Sequence, residues 1–250
     1  MANGGEEPAT VLAIDIGATT IKSCVVDRGG ELVDVPRRRA TPYPCTPARL
    51  VEVVAARIDE SDNRLVGVGF PGEFADGHVV RPGNLNRPGG VGTEVDPDLT
   101  AEWTGFALQD ALRDATGRDV RVVNDATLAL LGCVSGAGVE LVVTLGTGVG
   151  LAMARDGVPE RVRDVGAAPF RDAKTYDQSL GERARAEDPE GWYPKLDVAL
   201  RGFALEFGAS RIHLAGGNAR RVNPSRFVDM PFEVLVSGNE APLKGAARLF

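Results

Sequence analysis

A strand that breaks into small residues and hydroxyls, then resumes as a strand, occurs twice in this chain. No other feature constrains its fold as tightly. The first copy runs VLAID, then Ile16-Gly17-Ala18-Thr19-Thr20, then IKSCVVD to residue 27. The second, at residues 141–154, runs LVVTL, then Gly146-Thr147-Gly148, then VGLAMA. An apolar run of five or six residues bounded by glycine reads as a buried strand, and two such runs joined by a tight turn read as a hairpin. A hairpin cannot bury its own faces, so each copy needs further strands and helices around it. With 250 residues, 43% of them hydrophobic, the chain can bury one large core or two modest ones. The duplication favours two lobes of similar design.

The remaining pattern supplies the other elements. A turn at Arg28-Gly29-Gly30 predicts that ELVDV (31–35) pairs back onto the preceding strand. Residues 47–60 carry apolar positions at helical spacing behind a Thr46 cap and a first-position Pro47. LVGVGF (65–70) is a strand stopped by Pro71-Gly72, and from there to about Thr100 the chain is rich in Gly, Pro and Asn and reads as one long irregular loop. Helices are expected at 105–115, 125–133, 176–187, 194–208 and 242–250, with strands at 119–123 and 212–217. The expected organisation is a disordered lead-in (1–10), an N-terminal lobe (11–123) and a C-terminal lobe (124–250).

Composition excludes several classes of function. The net charge of −7 argues against a nucleic-acid partner, because phosphate-backbone binding is driven by clustered Lys and Arg. A polyanionic substrate remains compatible, since a local basic groove can sit on an acidic protein. The one dense basic run, Pro36-Arg37-Arg38-Arg39, reads as a solvated loop. Three isolated cysteines (Cys24, Cys45, Cys133) fit neither a disulfide framework nor a zinc knuckle, and two histidines, His78 and His213, cannot build a multi-histidine metal site. The cysteine usage, the polar start without a signal-peptide profile and the lack of a membrane-length apolar run give the expectation of a cytoplasmic protein with no membrane partner. Trp103, Trp192 and His213 read as packing residues.

The chemistry-bearing residues sit at the strand ends. Gly17, Ala18, Thr19 and Thr20 make a turn whose amides and hydroxyls suit phosphate oxygens, because small side chains let the backbone come close. Asp15 is placed to hold Mg²⁺, directly or through water, and Lys22 adds positive charge. A plain hairpin turn whose Asp caps a neighbour is the competing reading. Thr144, Gly146, Thr147 and Gly148 repeat the pattern, and a pair of such turns facing across a cleft would clamp a phosphoryl chain from both sides. In VRVVNDATLALLG, Asp125 follows an apolar strand and opens a helix, where ligands of α/β sheets bind. There it serves either as a general base for a hydroxyl in phosphoryl transfer or, like Asn124, as a helix N-cap. Asn124 could otherwise bind a polyol. Gly216, Gly217 and Asn218, which end the strand IHLA, either admit a nucleobase or ribose or merely turn the chain.

Taken in order, these motifs resemble the ROK family of sugar kinases within the actin-like ATPase superfamily, over Val11 to about Ala247. IDIGATTIK is similar to the first phosphate motif, TLGTGVG to the second and LAGGNA to the adenosine-side glycines. VVNDATLALLG resembles the segment bearing the catalytic aspartate, which makes Asp125 the implied base. FPG at 70–72 and Asn84 resemble the sugar-side loop of the N-terminal lobe. The stretch TYDQSLGERARAEDPEGWYPKL resembles most the short polyphosphate glucokinase branch, which lacks the family's cysteine-rich zinc motif. The chain departs from the family at Ala18, where a second glycine is usual, and at Asp164-Val165-Gly166-Ala167, where the family has a sugar-contacting Glu-x-Gly-His. The resemblance implies an α/β, two-lobed actin-like ATPase (ribonuclease H-like) fold with mixed sheets flanked by helices. It implies a phosphotransferase using Mg²⁺ and either ATP or polyphosphate, with a hexose or related polyol read by Asn84, Asn124, Asp125 and Asp164, and a homodimer. The alternative is a sensor that binds sugar or nucleotide without turnover. The regulators of the family carry an added DNA-binding segment, and the ten polar residues before Val11 give the expectation that this chain has none.

Overall fold

The structure is a computed structural model that describes residues 10–250, so the expected lead-in (1–10) lies outside the described residues except for Thr10. The strands and helices, in chain order, begin with β1 (Val11–Ile16), β2 (Thr20–Val26), β3 (Arg37–Ala40), α1 (Pro47–Asp59), β4 (Leu65–Phe70), β5 (Glu73–Ala75), β6 (His78–Arg81), α2 (Pro97–Trp103), α3 (Leu108–Thr116), β7 (Asp119–Asn124) and α4 (Asp125–Leu131). They continue with β8 (Val139–Leu145), β9 (Val149–Arg155), β10 (Val158–Glu160), β11 (Pro169–Arg171), β12 (Lys174–Thr175), α5 (Tyr176–Leu180), α6 (Glu182–Glu187), α7 (Pro189–Phe207), β13 (Arg211–Ala215), β14 (Glu233–Gly238) and α8 (Ala241–Gly245).

The contacts divide the chain into two units. The first holds the described residues up to Leu128 together with Leu243–Phe250, and the second is Ala129–Pro242. Sequence reading put the boundary at 123/124 and left the C-terminus in the second half. Instead, Leu128, Leu243, Ala246 and Ala247 pack with Val11, Ala13, Cys24 and Val26 in one buried cluster.

In the first unit the strand order is β3-β2-β1-β4-β7. β1, β2 and β3 are antiparallel neighbours, and β4 and β7 run parallel to β1. The second unit repeats the plan as β10-β9-β8-β13-β14, with an antiparallel trio followed by two parallel strands. The duplicated hairpin is thus the first two strands of each sheet. Alternation explains the layers of the first unit. Leu12, Ile14 and Ile16 face α1 and its neighbours, burying Leu50, Val53, Val54 and Ile58, each worth roughly 1.5–3 kcal/mol. Val11, Ala13 and Asp15 face the other way.

Several local expectations change. Residues 31–35 make only a single bridge, Val26 to Leu32, because Asp34 Oδ1 takes the Val25 amide (2.8 Å) and the Cys24 thiol (2.9 Å) from the edge such a strand would use. The strand forms after Pro36, so the basic run is not a loop but β3, exposed along its whole length. The long irregular stretch contains the β5–β6 hairpin, a 3₁₀ turn at Gly83–Asn86 and α2, whose Asp96 caps the Asp98 amide at 2.8 Å. The helix expected at 105–115 is α3, and the piece expected at 176–187 breaks at Gly181, whose extended backbone (φ −65°, ψ 169°) ends α5 and begins α6, and whose missing Cβ would lie 2.4 Å from the Thr147 carbonyl oxygen.

Candidate active site

In the first unit the turn after β1 is tied back by its carbonyls. Thr41 Oγ1 donates to the Gly17 carbonyl (2.6 Å), Tyr43 OH to that of Ala18 (2.6 Å), and the Thr41 amide to that of Thr19 (3.1 Å). In a trans peptide the N–H points opposite its own C=O, so the Ala18 and Thr19 amides are aimed away from residues 41–43. Gly17 permits this tightness, since a Cβ there would sit 2.9 Å from the Thr20 oxygen. Ala18 lies outside the left-handed region, so its methyl group carries no backbone strain.

Strand register then lines up the polar residues. Arg38 faces Lys22, Lys22 faces Asp15, Asp15 is level with Gly69, and Gly69 with Val123. Directly opposed residues share a face of the sheet, so this row crosses all five strands on the side that carries α4. Lys22 Nζ bonds Asp15 Oδ2 at 2.8 Å, and Asp15 is 6% exposed. A Cβ at Gly69 would meet Leu128 Cδ2 at 3.0 Å and the Asp125 Cα at 3.3 Å. The bare backbone of Gly69 is therefore what seats the start of α4 on the strand beside Asp15. Asn124 caps α4, its Oδ1 accepting from the Ala126 (2.9 Å) and Thr127 (3.2 Å) amides. Its Nδ2 donates to the Gly72 carbonyl at 2.7 Å. Of the acid and the amide proposed as caps, Asn124 takes two first-turn amides and also holds the loop after β4. Asp125 is left half-buried at the first helical position, with Oδ1 taking the Ala126 amide at 2.8 Å.

Asn84 is half-buried on the 3₁₀ turn Gly83–Asn86. Two glycines pin that turn to the end of β4: a Cβ on Gly72 would lie 2.2 Å from the Arg81 carbonyl oxygen, and one on Gly83 2.1 Å from that of Pro71. The Asn124 side chain, Gly72 and the Asn84 turn thus form one continuous chain of contacts.

The second unit has its own glycine platform. The Gly146 carbonyl accepts from the Glu182 amide (2.8 Å) and from Asn218 Nδ2 (3.2 Å), and the Leu145 carbonyl from the Asn218 amide (2.9 Å). Thr144 Oγ1 accepts the Gly150 amide at 3.0 Å, so it braces the hairpin from within. Gly216 has φ +91° and would put a Cβ 2.5 Å from the Leu145 oxygen, which brings the turn after β13 onto the turn after β8. A Cβ at Gly146 or Gly217 would meet nothing within 4 Å, and neither has a positive φ. Thr147 is exposed and Gly148 half-buried. A cavity of about 440 Å³ is lined by Gly217, Asn218, Arg220 and Arg221.

Asp164 is exposed, with Oδ1 accepting the Gly166 amide at 3.0 Å. Sequence reasoning missed its neighbour Asp177, whose carboxylate fills the space a Cβ would need on both Gly148 (2.4 Å) and Gly166 (2.7 Å). Burial pushes Asp177 above the usual carboxylate range and the Asp164 charge adds to this, while the Val149 amide, donating at 2.7 Å, opposes it. Gly69 did leave a signal: Gly67 and Gly69 alternate on one face of LVGVGF, the pattern of a close backbone approach. Thr41, Tyr43 and Asp177 left none.

The ROK family model matches residues 11–163. The chain belongs to the ROK family. Its match to a glucokinase of Halalkalibacterium halodurans is 29% identical over 161 residues, 58% of this chain and 44% of that protein. The chain therefore spans under half the length of that curated relative. Among solved structures, the inorganic polyphosphate/ATP-glucomannokinase of Arthrobacter sp. strain KM is 28% identical with a TM-score of 0.79, covering 96% of this chain and 98% of that one. The ROK family glucokinase of Streptomyces griseus, in complex with glucose and AMPPNP, is 20% identical with a TM-score of 0.71, covering 96% and 98%. The ROK fold of these sugar kinases, two ribonuclease H-like units of the actin-like ATPase type, is the fold of this chain. The residues fit the expected groups. The backbones of Gly146 and Gly217 border open space, with nothing within 4 Å of where a Cβ would stand, so phosphate oxygens can approach them, and Mg²⁺ bound with phosphates needs only one or two carboxylates, as Asp15 offers. Among the described residues no cluster of three or more His, Cys, Asp or Glu side chains forms an all-protein metal cage, and no helix is long and apolar enough to cross a membrane.

Proposed function

We propose that this chain transfers a phosphoryl group from ATP or inorganic polyphosphate to a hydroxyl of a hexose or related polyol, with Asp125 as general base. The observation that carries the reading is the seat of α4 over Gly69, which holds Asp125 beside the strand that bears Asp15. The amides of Ala18 and Thr19 cradle donor oxygens, and Lys22, whose charge pairs with Asp15, donates to them through its remaining N–H groups. Mg²⁺, held by Asp15 when bound, neutralises charge on the donor. Asp125 takes the acceptor proton, a role worth roughly 10²–10⁴ in rate. The Ala126 amide on Oδ1 fixes the carboxylate's rotation. Asn84 orients the acceptor and Asn124 holds that loop in place; in the second unit, Gly146 to Gly148 with Gly216 to Asn218 form a phosphate- and nucleotide-binding platform of their own. Dimerisation, a cytoplasmic setting and the absence of nucleic-acid and membrane partners belong to the same proposal.

A second reading, a sugar or nucleotide sensor without turnover, draws on Ala167 and on the likeness to a ROK family transcriptional regulator, 12% identical with a TM-score of 0.67. The discriminating test is a panel of ATP and polyphosphate against glucose, mannose, glucosamine derivatives and cyclitols, with Asp125→Asn alongside. Turnover that falls at least about 100-fold in the variant while sugar binding persists supports the kinase. Binding without turnover across the panel selects the sensor.

A further inference from the structure

The basic run that forms β3 is split by strand alternation into two functionally different sets. Arg37 and Arg39 stand opposite Ser23 and Ile21, on the α1 side of the sheet. There Arg37 pairs with Glu60 at 3.2 Å, and Arg57 donates to Ser23 Oγ at 2.7 Å. Arg38 stands opposite Lys22 and so shares the face of Lys22, Asp15 and the start of α4. Its neighbour Ala40 stands opposite Thr20, at the edge of the phosphate turn. The row therefore reads Arg38, Lys22, Asp15 from the sheet edge inward, with strands about 4.8 Å apart. Lys22 is neutralised by Asp15, whereas among the described residues no carboxylate pairs with Arg38. That leaves a net positive charge on the outer part of the row, exposed at the edge strand of an otherwise acidic protein.

We propose that Arg38 is a donor-binding residue that contacts phosphoryl groups of a condensed-phosphate chain beyond those seated at the turn, so that inorganic polyphosphate is held across β2 and β3. This deepens the phosphotransferase reading and rests on it. A guanidinium offers a planar fork of donors that matches phosphate oxygens and stays charged at any working pH. A continuing chain of phosphates presents anionic oxygens to that fork. ATP does not, because its chain ends after three phosphates in a nucleoside.

The test compares Arg38→Gln with Arg37→Gln and Arg39→Gln, all at exposed positions of one strand. Long-chain inorganic polyphosphate and ATP serve as donors, and binding of each to the full chain is measured by calorimetry as well as by turnover. Arg38→Gln is expected to weaken long-chain polyphosphate, in KM and in Kd, by about fivefold to tenfold. ATP should change by less than about twofold, and so should both donors in the two control variants. An unchanged polyphosphate Kd in Arg38→Gln overturns the proposal. An equal loss in all three variants overturns it as well, because it would mark a diffuse field and not a contact. An equal loss for ATP places the contact among the inner phosphates and overturns it too. The calorimetric arm separates this from the parent reading: selective loss of polyphosphate binding with no turnover by any variant or the wild type upholds Arg38 and removes the kinase.

Discussion

Replacing Gly69 with alanine perturbs the candidate site without touching a polar atom. The added methyl would stand 3.0 Å from Leu128 Cδ2 and 3.3 Å from the Asp125 Cα, where ordinary contacts begin near 3.4 Å. The start of α4 must therefore rise by a few tenths of an ångström, carrying Asp125 away from β4. A misplacement of about 1 Å at a reacting group costs on the order of 100-fold, so a third of that costs about three- to tenfold in kcat. The stability change is the balance of overpacking, roughly 1–3 kcal/mol, and the loss of unfolded-chain entropy on replacing glycine, roughly 0.4–1 kcal/mol in the opposite direction. A net destabilisation of about 1–2 kcal/mol is expected. Gly67→Ala is the control. Its methyl would lie 2.7 Å from the Ala246 Cβ and 3.1 Å from Leu249 Cδ1, a harder clash on the same face but two residues, about 6.6 Å, further from the row. Urea unfolding and donor-saturated initial rates on both variants decide the matter. Gly67→Ala should lose more stability and keep its kcat, whereas Gly69→Ala should lose kcat. If the two lose kcat in proportion to their stability, Gly69 does not position the base and the reasoning fails.

Asn124→Ala should cost about 1 kcal/mol for the lost cap and raise the acceptor KM more than the donor KM, because the same side chain anchors the Gly72 carbonyl and hence the Asn84 turn; a donor KM that rises equally would contradict this. In the second unit, Glu140 is fully buried. Burial alone would raise its pKa, but the hydrogen bonds from His213 (3.0 Å), the Ser135 amide and hydroxyl and the Gly136 amide outweigh it and hold the carboxyl at about 2 against an ordinary 4.5. A depressed acid stabilises the fold fully above its unfolded value and loses that contribution as pH falls through its folded value. Glu140→Gln should therefore be less stable at pH 7, by on the order of 3 kcal/mol, with the gap to the wild type closing between pH 4.5 and about 2. A gap that is constant across that window in chemical denaturation would refute it.

The amino-acid sequence by itself determined the motifs and their local form. Period-two apolar runs that end in glycine define β1–β2 and β8–β9, and helical spacing behind Thr46-Pro47 defines α1, because these are decided by residues within a few positions of one another. It also placed Asn124 and Asp125 at the junction of strand and helix and His213 in a core. Only the tertiary structure decided which residues share a face. Strand register selects Arg38 from three consecutive arginines and sets it in line with Lys22 and Asp15, and register depends on pairings between segments that carry no mark of one another. The same holds for Gly69 beneath α4, for Thr41 and Tyr43 behind the first glycine turn, and for Asp177 against Gly148 and Gly166. The C-terminal residues join the first unit for the same reason: the bare backbone of Gly67 accepts Ala246, a contact between residues far apart in the chain. Local chemistry fixes what each segment is, whereas long-range packing fixes what each segment faces, and the candidate site consists of facing residues.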